Sequence, residues 1–589
     1  MQCLRRRAAL RVLLVGTGAS LLAACGQSTP PANSVAPQPA PSSTPAAPAA
    51  NPASVTTSPQ AASTSSPGGV SASASPAASA AAIGDLDAGN PGAAAAKAGT
   101  PKYGGSIITG QVGDLVTTDG ASYSPITNNG IGQVYDELIN YGDHLEIQPR
   151  LAESWDLSSD NKQIKLNLRK GVLFHDGREF TSDDVKYNML RVRDPKRNTF
   201  AQTAAVGSAW WTGIDTPDKY TVVLTSEMPH PGVFDFLQYM RILDPKAIEA
   251  NEAGDKQSLN GTGPYKFVEW VSGDHIQWVK NPNYWQTGIP YIDNFRTNIF
   301  RDQQAMISAL EAGTIQVVDL AAIPDAVRLQ GDKDYTVYYT NMIGQFFHAY
   351  FNCSKPPFDN KLVRQAVGYA IDKQRVTDTV FKGFTGPPIS LPWTTASPAF
   401  EDAKNGYYTY DLDKARSLLA QAGVTNLTFD LGYNQAGYSA EYAAWAQIIQ
   451  SDLATIGVTV NLMPQDGAVF SQGGTGDPPA FQGMRLSAGA FAQLYEAGSE
   501  MAVSRTYGAV SNASGFYDDN WKKLTAQVQT EPDPAQRKAL YAQINDFILD
   551  AAFDLPTTRY PDIVVMKSNV NGLFYETQTD WTIRNTWLS

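Results

Sequence analysis

Three closely spaced stretches decide the fold: Gln148–Trp155 (QPRLAESW), Leu168–Gly177 (LRKGVLFHDG) and Phe180–Val185 (FTSDDV). The Asp176-Gly177 pair that ends the second stretch predicts a tight turn, because glycine adopts backbone angles that other residues avoid. Thr181 in the third stretch is followed by acidic residues, which is typical of a helix start. A strand, a turn and a capped helix are therefore expected in that order.

Apolar residues around these stretches have the spacing of both strands and helices. Every second residue is apolar at Ile164, Leu166 and Leu168, as in a strand with one buried face. After Thr181, apolar residues recur on one side of a helix. Further helices are predicted at residues that can serve as N-caps, namely Asp359, Asp411 (with Gly423 at the helix end) and Asp533. Strands that alternate with helices predict an α/β fold.

Further blocks follow downstream in a fixed order: Thr262–Tyr265, Lys280–Trp285, Lys355–Asp359 with Val363–Ala366, Asp411–Gly423 and Asp533–Arg537. With the opening stretches, they resemble the family 5 extracellular solute-binding proteins, the oligopeptide- and nickel-binding group that serves ABC importers. The resemblance covers residues 101–589. It implies a periplasmic-binding-protein-like fold of two lobes with a hinge and an extra third domain. Such proteins bury a ligand in the cleft by hinge closure.

The resemblance also implies domain boundaries. Lobe I is discontinuous, and the extra domain is inserted into it. The expected segments are a signal peptide at 1–24, a lipid-anchored disordered linker at 25–100, lobe I at 101–139, 256–352 and 553–589, the extra domain at 140–255, and lobe II at 353–552.

The N-terminus has the features of a bacterial lipoprotein signal. Met1–Arg11 carries four arginines and no acid, and Val12–Ala24 is apolar but shorter than a membrane span. Leu22-Ala23-Ala24-Cys25 resembles the lipobox, in which cleavage exposes a cysteine that then carries lipid. Cys25 is therefore the predicted lipidation site. The protein is expected to be extracytoplasmic, at the cell surface or in the periplasm, and to contact the membrane only through this anchor.

The next segment has the composition of a disordered tether. Residues 26–100 consist mainly of Ala, Pro, Ser, Thr and Gly, have no aromatic residue, and carry only Asp85, Asp87 and Lys97 as charges. Such a segment cannot bury enough apolar surface to offset chain entropy.

Composition and motifs argue against several classes of function. Lys and Arg number 45 against 57 Asp and Glu, a net charge of −12, which disfavours nucleic acid as a partner. The three cysteines and five histidines lack metal-site spacing, and the common hydrolase and phosphate-loop motifs are missing. His175-Asp176 is interpreted as part of a turn rather than as a catalytic pair. The sequence thus predicts a monomeric binding protein with no cofactor, metal or catalytic residue, and with ABC importer permease subunits as partners.

One segment bears on the ligand. By resemblance, peptide-binding members use a second-lobe aspartate to pair with the peptide's α-amino group. The corresponding stretch, Phe481–Phe491, contains no acid, and Arg485 gives it the opposite charge. A buried ammonium without its carboxylate costs several kcal/mol, so a free peptide N-terminus is disfavoured. Glu496 is the next acid. Arg485, Ser487 and Phe491 are candidate ligand residues.

Aromatic and amide residues complete the candidate site. Trp210-Trp211 lie in a segment where the resemblance places ligand-facing rings, and Trp393 follows the family-like Leu391-Pro392. Such rings can stack on sugars. Asn128-Asn129 and His348 fall in segments expected to line the cleft. These residues favour an oligosaccharide, another uncharged solute or a blocked peptide over a free peptide.

Two other classes of function remain open. A secreted hydrolase acting on polysaccharide or cell wall needs two carboxylates in one cleft, which spacing alone does not place. A receptor that presents its ligand to a membrane sensor without transport has the same sequence features.

Overall fold

The computed structural model describes residues 100–589 except 116, 122–129, 143–144, 195–201, 253–258, 341–344, 436–438, 475, 490–493, 511 and 576–580. Contacts divide the chain into two units, Met1–Pro76 and Ala77–Ser589, of which the first lies wholly outside the described residues. The predicted signal, the lipidation site Cys25 and the linker therefore lie outside the described residues.

Strands and helices alternate along the described chain. The strands are β1 (Ser106–Val112), β2 (Ile139–Tyr141), β3 (Ile147–Pro149), β4 (Ala152–Leu157), β5 (Gln163–Leu168), β6 (Gly213–Asp218), β7 (Thr221–Thr225), β8 (Tyr265–Val271), β9 (His275–Lys280), β10 (Asn294–Phe300), β11 (Val317–Val318), β12 (Tyr335–Thr340), β13 (Phe346–Phe351), β14 (Thr428–Asn434), β15 (Thr459–Gln465), β16 (Met484–Gly489), β17 (Asp554–Arg559), β18 (Asp562–Lys567), β19 (Val570–Asn571), β20 (Phe574–Tyr575), β21 (Trp581–Thr582) and β22 (Trp587–Leu588).

The α-helices are α1 (Ser182–Arg191), α2 (Gln202–Ala209), α3 (Val233–Leu237), α4 (Pro245–Glu252), α5 (Gln303–Glu311), α6 (Ile323–Leu329), α7 (Lys361–Ala370), α8 (Lys373–Thr379), α9 (Asp402–Asn405), α10 (Leu412–Gln421), α11 (Ser439–Ala454), α12 (Gly467–Gly473), α13 (Ala497–Val503), α14 (Asp519–Thr530) and α15 (Pro534–Ala551), with a short 3-10 helix at Gly132–Val134.

Three sheets organise these elements. A seven-stranded sheet has the order β12-β18-β11-β1-β10-β9-β8, and a five-stranded sheet has the order β15-β14-β16-β13-β17. A four-stranded antiparallel sheet, β4-β5-β7-β6, forms between them in the chain. The predicted α/β fold class is confirmed.

The elements predicted from the opening stretches are present. β5 buries Ile164, Leu166 and Leu168 and turns its other residues outward. Helix α1 has Thr181 as N-cap in a reciprocal capping box with Asp184.

Two of the other caps are as predicted, and one is shifted. Asp411 caps α10 and Asp533 caps α15. The cap of α7 is Asn360 rather than Asp359, because the Asn360 side chain accepts the amide hydrogen of Leu362.

Three apolar cores hold the sheets together. One lies around the four-stranded sheet and α1, a second on one face of the seven-stranded sheet, and the largest extends from α5 through the five-stranded sheet to α15. Within the described ranges, no helix has both the length and the apolar character needed to cross a membrane.

Candidate functional site

The five-stranded sheet brings several predicted residues onto one face. β16 runs antiparallel to β13, so that Arg485 lies opposite Tyr350 and Ser487 lies opposite His348. Side chains alternate between the two faces of a sheet, and these four therefore share a face. The chain between β16 and α13 includes Phe491, which lies outside the described residues.

Arg485 is buried without a counter-charge. Its side chain is 1% exposed, and its guanidinium carbon lies 3.6 Å from the Phe470 ring centroid and 5.2 Å from that of Phe481. Nη2 donates to the Phe470 carbonyl oxygen, and Tyr350 lies close enough to interact with the guanidinium, whereas Nε and Nη1 make no hydrogen bond of regular geometry to a described residue. Among the residues described, no carboxylate is within ion-pair distance of this guanidinium. Burial lowers the pKa of Arg485 because desolvation disfavours the charged form.

A glycine turn covers the Arg485 guanidinium. A Cβ atom built on Gly474 would lie 2.8 Å from Arg485 Nη1, closer than real Cβ atoms come to a neighbour. A side chain at this position would therefore displace the end of the Arg485 side chain. The Arg505 guanidinium donates to the Gly474 carbonyl oxygen at 2.8 Å and holds the turn from outside.

His348 is part of a buried hydrogen-bonded group rather than a free cleft residue. Its Nδ1 is hydrogen-bonded to Asp554 Oδ1, and Tyr507 donates to Asp554 Oδ2 at 2.5 Å. Both members of the histidine–aspartate pair are at most 2% exposed. His348 connects two strands, β13 and β17, that lie side by side in the sheet.

Glu496, the next acid along the chain, is already paired. Arg537 donates to it from Nε and Nη2, each at 3.0 Å, and Tyr541 donates from its hydroxyl group. The carboxylate is 5% exposed, and its pKa is raised mainly by burial. Glu496 therefore cannot substitute for the missing aspartate in this arrangement.

The residue before Glu496 is held from the four-stranded-sheet region. Asp235 of α3 accepts the amide hydrogens of Tyr495 at 2.7 Å and Glu496 at 3.1 Å, and the Tyr141 hydroxyl at 2.9 Å. Burial raises the pKa of Asp235 to about 7. Sequence reasoning missed this residue because its partners lie 260 positions away.

The tryptophans predicted to face the ligand have different positions. Trp211 is 1% exposed in the core around the four-stranded sheet. Trp393 is also 1% exposed, and its indole nitrogen donates to Asn545 Oδ1 at 2.6 Å. Trp210 is half-buried and stacks on the His230 ring, with ring centroids 4.2 Å apart. The structure therefore places Trp211 and Trp393 in apolar cores and Trp210 on His230, and the Trp393 ring centroid lies 6.4 Å from that of Tyr507.

The other residues singled out in the sequence are two asparagines, a histidine and a turn glycine. Asn128 and Asn129 lie outside the described residues. His175 Nε2 lies 3.0 Å from the Gly263 carbonyl oxygen, and Gly177 has a φ of 92°, as the predicted turn requires. Over the described ranges, His, Cys, Asp and Glu form no group of three or more that could hold a metal ion.

Comparison with known proteins gives a consistent family assignment. The model of the "Bacterial extracellular solute-binding proteins, family 5 Middle" matches residues 146–527. Heme-binding protein A of Haemophilus influenzae is 27% identical over 485 residues, which cover 77% of this chain and 86% of that protein. Glutathione-binding protein GsiB of Escherichia coli K12 is 24% identical over 492 residues, covering 80% and 94%.

Solved structures agree in fold. The PBP AgaA from A. tumefaciens R10 in complex with agropinic acid superposes with a TM-score of 0.69 at 27% identity, covering 82% of this chain and 99% of that one. The ABC transporter substrate-binding protein CtaP from Listeria monocytogenes superposes with a TM-score of 0.71 at 22% identity, covering 83% and 100%. The two-lobe architecture expected from the sequence is that of these neighbours.

Proposed function

Because this chain belongs to the family 5 bacterial extracellular solute-binding proteins, we propose that it captures an anionic solute between its lobes and delivers it to the permease of an ABC importer. The members of this family are binding proteins rather than enzymes, and the proposal assigns no catalytic residue. The two lobes predicted from the sequence are part of this proposal, with lobe I built on the seven-stranded sheet and lobe II on the five-stranded sheet. Because β13 and β17 pair within the five-stranded sheet, the proposed boundaries of lobe II move from residues 353 and 552 to the start of β13 and the end of β17.

Arg485 is the residue from which we infer the chemical class of the ligand. Two of its nitrogen atoms, Nε and Nη1, are buried without a regular hydrogen bond to any described residue, and such groups are costly to leave unsatisfied. A carboxylate offers two oxygens that match the planar donor fork of arginine. We therefore propose that Arg485 receives a carboxylate from the ligand. Since α12 and the Gly473-Gly474 turn cover the guanidinium, binding requires this cover to move.

The absence of an acid in Phe481–Phe491 bears on whether the ligand has a free amino group. Glu496 is engaged by Arg537, so neither position offers a carboxylate to an ammonium group. The proposed ligand therefore has a carboxylate and does not depend on a free amine. The acid bound by AgaA, a relative at 27% identity, is in line with this class. Because Trp211 and Trp393 lie in cores, sugar stacking has less support than the sequence suggested.

A set of matched peptides tests the ligand class by calorimetry. The set contains one tetrapeptide as the free form, the N-acetylated form and the C-terminal amide, with a neutral tetrasaccharide beside them. We expect acetylation to change the affinity by less than threefold and amidation to weaken it at least tenfold. Loss of binding on acetylation, or tightest binding of the neutral sugar, contradicts the proposed class.

Two variants assign the effect to Arg485. Arg485→Gln should abolish the preference for the free carboxylate. Arg416→Gln is the matched control, because Arg416 is a half-exposed arginine of the same lobe that pairs with Asp413 at 2.9 Å. A preference for the carboxylate that survives in Arg485→Gln rules out Arg485 as the recognition group.

Lipid anchoring is the second part of the proposal. Leu22-Ala23-Ala24-Cys25 follows an apolar stretch of signal length. We propose that Cys25 becomes the acylated N-terminus and that the linker up to residue 100 holds the binding domain away from the membrane. An extended chain of 75 residues reaches about 250 Å and a flexible one about 50 Å.

A further inference from the structure

The start of helix α13 is held by a residue from a distant segment. Glu496 is the N-cap of α13, yet its side chain makes no capping hydrogen bond and turns instead to Arg537. The carboxyl group of Asp235 instead accepts the amide hydrogens of Tyr495, the residue before the helix, and of Glu496, the N-cap itself.

The Tyr495-Glu496 pair is fixed from three sides. Asp235 holds the two amides, Ser397 Oγ donates to the Tyr495 carbonyl oxygen at 2.9 Å, and Arg537 of α15 holds the Glu496 side chain. Each contact comes from a different part of the sequence. These contacts therefore make the pair a fixed point of the chain that follows β16.

Apolar packing holds both flanks of this fixed point against the four-stranded-sheet region. Leu494 and Val503 are 2% and 3% exposed and belong to the same apolar core as α3 and the strands of that sheet. The fit is close, because a Cβ atom built on Gly232, the N-cap of α3, would lie 2.0 Å from Ser499 Oγ. Helices α3 and α13 therefore cannot shift against each other without loss of packing.

We infer that Asp235 is a positioning residue for ligand binding: by holding the amides of Tyr495 and Glu496 it fixes the chain that follows the strand with Arg485 and Ser487. The region around the four-stranded sheet, predicted as the extra domain, then takes part in recognition without touching the ligand. This inference rests on the proposed function, since it assumes that the β16 segment meets the ligand. It assigns Asp235 no direct contact with solute.

Hydrogen–deuterium exchange of the full-length chain tests the inference without a ligand. The Asp235→Ala variant should exchange at least tenfold faster in residues 494–499, because two amides lose their acceptor. Asp235→Asn keeps one carbonyl oxygen as an acceptor and should be intermediate. If Asp235→Ala does not fold, the same comparison is made with Asp235→Asn alone, which should still exchange at least threefold faster than the wild type in that segment.

The matched control is Asp184→Ala. Asp184 is 3% exposed, against 1% for Asp235, lies in the same region and completes the capping box of α1. It should raise exchange in residues 181–188 and leave 494–499 unchanged. Wild-type exchange at 494–499 in Asp235→Ala, or a uniform rise over the whole chain in both variants, overturns the positioning role.

A binding measurement completes the test, with the N-acetylated tetrapeptide as the probe. Asp235→Ala should weaken its affinity at least tenfold, Asp235→Asn should restore part of the loss, and Asp184→Ala should stay within twofold of wild type. Faster exchange with unchanged affinity overturns the inference. If the wild-type chain does not bind the probe, the proposed ligand class is contradicted, and the exchange pattern alone decides whether Asp235 fixes the segment.

Discussion

Arg537 holds Glu496 in a two-point ion pair, with Nε 3.0 Å from Oε2 and Nη2 3.0 Å from Oε1. The two side chains are 10% and 7% exposed. The Arg537→Ala variant leaves a buried carboxylate without its partner and should lower the free energy of unfolding by about 3–5 kcal/mol. Urea unfolding at neutral pH measures this loss.

The control for Arg537 is an exposed ion pair between α7 and α15, the helix that also carries Arg537. Lys361 and Asp550 are 2.7 Å apart and are 50% and 62% exposed. Exposed pairs contribute about 0–1 kcal/mol, so Lys361→Ala should have little effect. Equal losses in the two variants contradict the structural importance given to the Arg537–Glu496 pair.

Lys373 should make stability depend on pH. It is fully enclosed, its Nζ donates to the carbonyl oxygens of Ile389 and Pro556, and burial lowers its pKa to about 7. The unfolded chain keeps this proton up to about pH 10.4. Between these values the unfolded state binds more protons, so stability rises with pH, by up to about 1.4 kcal/mol per unit. Below pH 7 both states are protonated and the cost of burial is complete.

The Lys373→Met variant isolates this contribution. Its free energy of unfolding, measured at pH 6, 7.5 and 9, should lack the part of the rise that comes from Lys373. The difference between wild type and variant should therefore change in favour of the wild type as the pH increases. A difference that stays constant over this range means that Lys373 does not titrate there.

Gly483, directly before β16, should not tolerate a side chain. It has a φ of 75°, and a Cβ atom there would lie 2.2 Å from the Asp430 carbonyl oxygen. Gly423 has a similar φ of 72° but open space around it. Gly423→Ala should therefore cost only the backbone strain, about 1 kcal/mol, whereas Gly483→Ala should cost at least twice as much. Thermal unfolding of both variants makes the comparison, and equal losses would mean that strand β16 can shift to make room.

Substitution of the adjacent residues Trp210 and Trp211 should lower stability by different amounts. Trp211→Ala empties a core position and should cost about 3–5 kcal/mol of stability. Trp210→Ala removes a stacked contact with His230, for which about 1 kcal/mol is expected. We expect both folded variants to bind the N-acetylated tetrapeptide within twofold of wild type. A tenfold loss of affinity in Trp210→Ala restores that ring to the ligand site.

Cys25 should be the residue through which the protein is anchored to the membrane. Wild-type protein expressed with its signal should partition into detergent and carry acyl chains at residue 25, and Cys25→Ala should be released into the aqueous phase. Cys353→Ala is the control, since this cysteine is half-buried in the folded domain. Aqueous wild-type protein with an unmodified Cys25 contradicts the anchor.

Local structure could be predicted from the sequence because its causes are local. Thr181, Asp411 and Asp533 are helix caps whose partners lie within three residues, and alternation in β5 depends only on which residues are apolar. The family blocks then supplied the fold class. One cap is Asn360 rather than Asp359, because the two residues are adjacent and both types are favoured as N-caps, so the sequence does not distinguish them.

The site could be predicted only in part, because its contacts join distant residues. Arg485 was found from its charge in a segment without acids, but its lack of a counter-ion depends on the packing of Phe470 and the Gly473-Gly474 turn. Trp393 meets Asn545 across 152 positions, and Asp235 meets Tyr495 across 260. Neither relation leaves a pattern in a single sequence, since an indole or a carboxylate looks the same whether it meets a ligand or a helix end.

The position of β18 in the seven-stranded sheet determines when this protein can finish folding during its synthesis. β18 pairs with β12 on one side and β11 on the other. The two strands within residues 317–340 therefore lack this pairing partner until residues 562–567 have been synthesised. A chain that emerges N-terminus first therefore exposes two strand edges until almost all 589 residues have been made. A chaperone that covers these edges prevents them from pairing with another chain, and truncation before Asp562 removes their partner strand permanently.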